Sequence, residues 1–146
     1  MQNLESNSTK NKKIKLDFKD SKYATGRRKR SIAKVWVKKG SGNIHVNGLK
    51  MNEYFKRPVH QIIVTRPLEI SEVASNYDVK CSVKGGGLSG QAGAIILGIS
   101  KALIAHDENL KKSLKKDKLT TRDSRVVERK KYGHRKARRS FQFSKR

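Results

Sequence analysis

Two segments of the chain carry apolar side chains at every second position. They are residues 31–38 (SIAKVWVK) and residues 78–84 (DVKCSVK). Because successive side chains of a β-strand point to opposite faces, this period of two predicts two half-buried strands. The predicted inward residues are Ala33, Val35 and Val37 in the first strand and Val79, Cys81 and Val83 in the second.

Shorter signals predict the elements around these strands. In chain order they are a turn at 39–43, a returning strand at 44–46, a turn at Asn47-Gly48, a short helix at 52–55, a helical segment that starts at 60–64, before Pro67, a helix of about 14 residues around the apolar run 95–106, and a short basic helix at 108–116. Together they predict an α+β fold, with a small mixed β-sheet and helices packed on one of its faces.

The charge of the chain changes what such a fold is expected to bind. Lys and Arg number 36 against 12 Asp and Glu, which gives a net charge of +24. That much self-repulsion needs counter-charge nearby, and nucleic acid is the first candidate, with a membrane surface second. No apolar run approaches the roughly 20 residues that span a bilayer. The N-terminus also lacks the apolar core of a signal peptide and contains no Arg, which argues against a transit peptide.

The last eighteen residues, 129–146 (RKKYGHRKARRSFQFSKR), concentrate this charge. Nine are Lys or Arg and none is acidic. Such a segment is not expected to fold alone, but it gains free energy by releasing counterions when it lies on a polyanion. Its interleaved Tyr132, Phe141 and Phe143 can stack on exposed bases. The alternative is a solvated tail that only aids solubility or targeting.

Composition therefore divides the chain into three parts. Residues 1–22 are a polar, basic extension expected to be disordered, residues 23–128 a globular RNA-binding domain, and residues 129–146 an extended basic tail.

The sequence shows no pattern of residues that indicates a catalytic site or a metal site. Cys81 is the only cysteine, so it forms no intramolecular disulfide and no Cys-rich zinc site, and a reducing, intracellular location is predicted. Because it is in phase with two valines, we expect a small core residue and not a reactive thiol. The histidines are scattered, without the spacing of a metal site. We expect no catalytic residue, no metal and no cofactor.

A glycine-rich run at 85–94 (GGGLSGQAGA) joins the second predicted strand to the long helix. Its G-x-G-x-x-G spacing matches a dinucleotide-binding fingerprint, and Asp107 lies where the ribose-binding acid is expected. However, no second parallel strand carries that acid, and Ser89 lacks the final glycine of a nucleophile elbow. Two interpretations stay open: backbone N–H groups that bind an RNA phosphate, or a tight connection without a ligand.

Several segments resemble the S9 family of small-subunit ribosomal proteins, of the bacterial and organellar type. They are residues 23–29 (YATGRRK), 46–48 (VNG), 53–55 (EYF), 83–94 (VKGGGLSGQAGA), 119–123 (LTTRD), 127–133 (VERKKYG), 135–139 (RKARR) and 142–146 (QFSKR). Residues 1–22 lie outside the resemblance. It implies a fold like domain two of ribosomal protein S5, with a left-handed βαβ crossover, and a structural role in the head of the small subunit.

The resemblance also implies which residues contact RNA. The implied rRNA contacts are Arg27, Arg28, Lys29, Arg30, Lys84, Gly85, Gly86, Gly87, Ser89, Gly90, Gln91, Arg122, Arg125, Arg129, Lys130, Lys131, Tyr132, Arg135, Lys136, Arg138 and Arg139. Ser144, Lys145 and Arg146 are implied contacts of the anticodon stem-loop of the P-site tRNA. Phe141 and His134 depart from residues common in the family, so the path of the tail there can differ.

The implied partners are small-subunit rRNA, P-site tRNA and neighbouring proteins of the head, with no membrane and no small-molecule substrate. The implied location is the cytoplasmic ribosome, or alternatively an organellar one. A second function class stays open: a free-standing RNA-binding protein or RNA chaperone that uses the same basic surfaces.

Overall fold

The computed structural model of the protein describes residues 18–145. Residues 1–17 of the expected N-terminal extension, and Arg146 at the expected tRNA-binding tip, lie outside this range. In chain order the elements are strands β1 (Lys22–Arg28), β2 (Ser31–Lys39), β3 (Ile44–Val46) and β4 (Leu49–Lys50), helices α1 (Met51–Tyr54) and α2 (Pro58–Ile70), strand β5 (Tyr77–Lys84), helix α3 (Leu88–His106), a 3-10 turn (Glu108–Leu110) and helix α4 (Lys111–Lys116).

The five strands form one mixed sheet in the order β1-β2-β5-β3-β4. Strands β3 and β5 are parallel, and the other pairs are antiparallel. The chain crosses from β3 to β5 through β4, α1 and α2, which confirms the α+β class with a βαβ connection. The left hand of that crossover stays a prediction.

The core lies between the inner face of the sheet and α3. The inward residues predicted for the two alternating segments are all buried: Ala33, Val35, Val37, Val79, Cys81 and Val83. The register of β2 against β5 sets Val35 opposite Cys81, so both strands present their apolar residues to the same side. Helix α3 packs on this side and α2 packs against α3, which confirms that helices cover one face.

The predicted position of β3 is wrong in one respect. A returning strand after the turn at 39–43 implies a partner of β2, but β5 lies between the two. The turn is attached to β5 instead. Asp78 Oδ1 accepts hydrogen bonds from Ser41 N and Asn43 N, at 3.0 and 2.8 Å, and Val79 N donates to Asn43 O at 2.8 Å.

Strand β1 (KYATGRR) was not predicted, because its inward positions are not apolar enough to show a period. It pairs along its whole length with β2. The small size of Gly26 is what brings it close to α3: a Cβ there would overlap the carbonyl oxygen of Ala94 and lie 2.6 Å from Gly98 N.

Two helices extend beyond their predicted limits. Helix α3 begins at Leu88 and takes in most of the glycine-rich run, giving 19 residues. Helix α2 begins at Pro58 and continues through Pro67 to Ile70, so the helical segment expected to start at 60–64 is present and is longer than predicted. Pro67 removes one backbone donor, but it is itself buried in the helix packing.

By length and composition α3 could cross a membrane, with a mean hydropathy of 1.5 over its best window. This corrects the expectation that no apolar run approaches that length. The apolar composition is accounted for by packing, since ten of the fourteen residues from Gly90 to Leu103 are buried in the fold, where α3 packs on the sheet and α2.

Candidate nucleic-acid interface

At one end of the sheet, two turns that are distant in sequence lie side by side. One is the turn between β1 and β2, which carries Lys29 and Arg30; the other is the glycine turn, residues 85–87, between β5 and α3. Ser31 Oγ donates a hydrogen bond to Gly85 O at 3.0 Å, and a Cβ on Gly85 would lie 2.6 Å from the carbonyl oxygen of Arg30. We call this region, together with residues 120–125 described below, the basic end.

Most glycines of the run are explained by this close approach. Gly85 and Gly86 have φ angles of +76° and +62°, which favour glycine. A Cβ on Gly86 or Gly90 would collide with Ser31 Oγ. For these three residues the structure favours the tight connection that was one of the two open interpretations.

Gly87 is different from the other glycines of the turn. It is the N-cap of α3, no side chain caps the helix there, and nothing lies within 4 Å of an added Cβ. The first turn of α3 therefore presents N–H groups at an open surface, and a helix N-terminus favours an anion. Gln91, also predicted as a contact, uses its side chain within the protein: Tyr54 Oη donates to Oε1 at 2.7 Å, and Nε2 donates to Gly85 O at 3.2 Å.

Residues 120–125 are attached to the basic end by the carboxylate of Asp123, which binds Arg28 of β1. Arg28 Nη1 donates to Asp123 Oδ2 at 2.6 Å, and Arg125 binds the same carboxylate through Nη2 at 2.8 Å and through its backbone N–H. The side-chain and backbone hydrogen bonds from Arg125, with the charge of Arg28, hold the pKa of Asp123 well below its usual range. Two expected rRNA contacts are thus tied to an acid inside the protein.

Asp123 was not predicted as a site residue. Its role depends on a contact across 95 positions of sequence, which no local pattern reveals. The available signal was a lone acid between two expected contacts, Arg122 and Arg125.

A groove of about 820 Å³ runs from the basic end between α2, α3 and α4. Its polar lining is largely cationic and its floor is apolar. The cations are Arg27, Arg28, Arg66, Lys115, Lys118 and Arg122, and the apolar residues are Ile63, Ile96, Leu97 and Leu119. Ser89 lines the same groove, so the structure brings together four of the predicted contacts: Arg27, Arg28, Ser89 and Arg122. Arg66, Lys115 and Lys118 were not predicted.

The described chain contains no helix or strand from residue 117 to Lys145, a segment that includes the tail. Within it Glu128 binds Arg138 at 3.0 Å and Lys131 at 3.5 Å. His134 Nδ1 lies 3.2 Å from Ser140 Oγ, and the Arg135 guanidinium lies 5.3 Å from the centre of the Phe141 ring. The two departures from the family pattern, His134 and Phe141, therefore contact other tail residues.

The remaining predicted contacts of the tail face solvent. Tyr132 is fully accessible, so its ring is open for stacking. The exposed polar and charged residues are Arg129, Lys130, Lys136, Arg139, Ser144 and Lys145. Phe143 is also 87% exposed. The tail therefore presents exposed cations and aromatic rings within the part of the chain that the structure describes.

One comparison with known proteins bears on the chain. A family model described as ribosomal protein S9/S16 matches residues 26–146. The match includes the basic end, the groove and the whole tail. Only the start of β1 and the residues before it fall outside.

Proposed function

Because the chain belongs to the ribosomal protein S9/S16 family, we propose that its two basic surfaces serve two different RNAs. Members of this family are structural proteins of the small ribosomal subunit that bind rRNA, and they are not enzymes. The proposal assigns rRNA of the subunit head to the basic end, the groove and the first part of the tail. It assigns the anticodon stem-loop of P-site tRNA to the tip of the tail.

The basic end supports rRNA binding through its mixture of fixed and free cations. Arg28 and Arg125 are held by Asp123, so their positions are set before RNA arrives. Lys29, Arg30 and Arg122 are exposed beside them, and the open N-terminus of α3 adds N–H groups. Backbone phosphates are bound by this combination of cations and helix N-termini.

The charge pattern of the tail supports a separate role for its tip. Residues 140–144 carry no charge and separate Arg139 from Lys145 and Arg146. An extended chain covers about 3.3–3.6 Å per residue, so these five residues can carry the tip roughly 15 Å past the main cluster. Only two cations stand at the tip, so the attraction to tRNA is expected to be modest.

Truncation of the tail separates these roles. Deleting residues 145–146 should leave the protein in purified small subunits but weaken P-site tRNA binding at low salt, whereas deleting residues 129–146 should also impair incorporation. A matched control is the double change Lys111→Gln and Lys112→Gln, which removes two exposed charges from α4. Filter binding of tRNA to the purified subunits measures the effect. Equal tRNA affinity of the control and the two-residue deletion would refute a specific role of the tip.

Co-sedimentation tests the ribosomal assignment itself. The protein should remain with small-subunit particles in sucrose gradients at high salt because, although each phosphate contact weakens with salt, the basic end, the groove and the tail must all dissociate together. A free-standing RNA-binding protein or chaperone would instead leave the particles, since its binding would rest on screened charge. We propose the cytoplasmic ribosome as the location and neighbouring head proteins as further partners. Recovery with organellar ribosomes would favour the alternative location.

A further inference from the structure

The outer face of the sheet, which points away from α3, carries an aromatic cluster. Tyr23 of β1 is paired with Trp36 of β2, and their ring centres lie 5.3 Å apart. Lys80 Nζ of β5 lies 6.0 Å from the centre of the Trp36 ring and 5.7 Å from that of Phe18. Aromatic rings and the lysine thus form a continuous strip across three strands.

The strip is accessible from solvent. Tyr23 is 49% exposed and Trp36 is half-buried, and Ile32, further along β2 and opposite Arg27, is 45% exposed. Within residues 18–145, the helix that packs on the sheet is α3, and the strand residues facing it are the alternate ones. Packing of the core therefore does not explain why two large rings stand on this face.

Positive charge surrounds the strip. The outward-facing cations of β2, β4 and β5 include Lys34, Lys38, Lys50 and Lys80. Of the outward-facing strand residues that the structure describes, Asp78 alone is acidic. Its Oδ1 atom accepts hydrogen bonds from the backbone of Ser41 and Asn43. The field over the face is consequently positive and favours an anionic ligand.

We propose that this outer face binds unpaired bases of a single RNA strand. Bases would stack on Tyr23 and Trp36, and the phosphates beside them would lie against Lys34. An open β-sheet with exposed aromatic rings among basic residues is the surface on which unpaired bases stack. This site is separate from the basic end and the groove, and it rests on the proposed function only in taking the ligand to be RNA.

An acidic protein partner is the competing occupant, and the observations favour RNA over it. Cations alone would attract either ligand. The ring faces distinguish them, because every base has a flat π-surface that can stack on tyrosine or tryptophan, whereas the carboxylate side chains of an acidic peptide have none.

Trp36 is the only tryptophan of the chain, so its fluorescence reports on this face alone. We would titrate the full-length protein with a short single-stranded ribooligonucleotide, and separately with heparin and with polyglutamate as anions without bases. The oligonucleotide should quench Trp36, and the two other polyanions should not. The quench identifies stacking and not charge.

Three variants locate the effect. Tyr23→Ala should raise the oligonucleotide concentration at half-quench by about fivefold or more, the lower end of the loss when one stacked ring is removed. Tyr23→Phe keeps the ring and should behave as the original protein. As a matched control, Arg129→Gln with Lys130→Gln and Lys131→Gln should weaken total RNA binding but keep the full quench. Circular dichroism and the thermal midpoint check that each variant is folded, and Lys34→Gln, expected to raise the half-quench concentration, replaces Tyr23→Ala if the latter does not fold.

The proposal is overturned if the oligonucleotide leaves Trp36 fluorescence unchanged, if heparin or polyglutamate quenches it equally, or if Tyr23→Ala has no effect. Those outcomes would not affect co-sedimentation with small subunits. Conversely, a quench by RNA in a protein that does not stay with the particles would refute the ribosomal assignment and leave the RNA site standing.

Discussion

Replacing Gly26 by alanine should destabilise the domain strongly, because this position is where β1 touches α3. The added Cβ would overlap the carbonyl oxygen of Ala94 and lie 2.6 Å from Gly98 N. Non-bonded heavy atoms normally meet at roughly 3.5 Å, so β1 must retreat by about 1 Å or more. Both contacting groups are backbone atoms of a helix, which cannot rotate away as a side chain can.

Overpacking of this kind typically costs about 1–3 kcal/mol, and the rigidity of the contact places Gly26→Ala near about 3 kcal/mol. Alanine also lowers the conformational entropy of the unfolded chain, which offsets only about 0.4–1 kcal/mol of this loss in stability. Gly87→Ala is the matched control, because nothing lies within 4 Å of its added Cβ and its φ of −111° suits alanine. We expect the control to lie within about 1 kcal/mol of the original protein.

Equilibrium unfolding in urea, followed by Trp36 fluorescence, measures both variants at one salt concentration. With about 2 kcal/mol per molar urea, the two variants should differ by roughly 1 M in their midpoints. Equal midpoints, or a larger loss for Gly87→Ala, would show that β1 does not depend on this contact. Gly26→Ala should also weaken rRNA binding, because the displaced strand carries Arg28.

Three further outcomes follow from charge and burial. Binding to rRNA should weaken steeply with salt, with a log–log slope of about −4 if roughly six phosphates are neutralised, and a slope near zero in a filter-binding series would contradict this. Because hydrogen bonds from Arg125 and the charge of Arg28 lower the pKa of Asp123, its contribution to stability is present above the ordinary Asp range near pH 4 and is lost only as pH falls through the lower folded value. The carboxyl carbon shift of Asp123 should therefore stay constant from pH 6 to about pH 4 in NMR spectra, and a midpoint near the ordinary Asp value would refute the pairing. Burial raises the pKa of the Cys81 thiol, so iodoacetamide should leave it unmodified in the folded protein and alkylate it in urea, as mass spectrometry detects.

The predictable part of the fold was the part in which one face of a strand is buried. Val35 and Cys81 lie opposite each other in β2 and β5, and burial of one face forces the apolar period that the sequence displays. Strand β1 could not be predicted in this way. Its inward Gly26 fits against α3 because it has no side chain, and a residue without a side chain gives no hydrophobic signal.

The candidate site likewise has one part that local sequence predicts and another that depends on contacts between distant residues. The cations of the tail were evident from composition, because a run of basic residues without acids is visible in the local sequence and does not depend on contacts with distant residues. The basic end was predicted only as separate motifs, since the contact of Arg28 with Asp123 joins residues 95 positions apart. The parallel pairing of β3 with β5 was missed for a similar reason: it depends on Asp78 holding the preceding turn, and not on the turn residues alone.

The pairing of Arg28 with Asp123 lowers the intrinsic affinity that the tip of the tail needs in order to stay bound to its target. It fixes the point at which the C-terminal chain leaves the folded part, and from Asp123 to Lys145 a fully extended chain reaches at most about 75 Å. Once the basic end is docked, the tip behaves as a tethered ligand whose effective concentration near its target is on the order of millimolar. A contact with only millimolar intrinsic affinity would then be half occupied. Under the proposal that the tip binds tRNA, it would release and rebind as successive tRNAs pass, while the docked domain keeps it within reach.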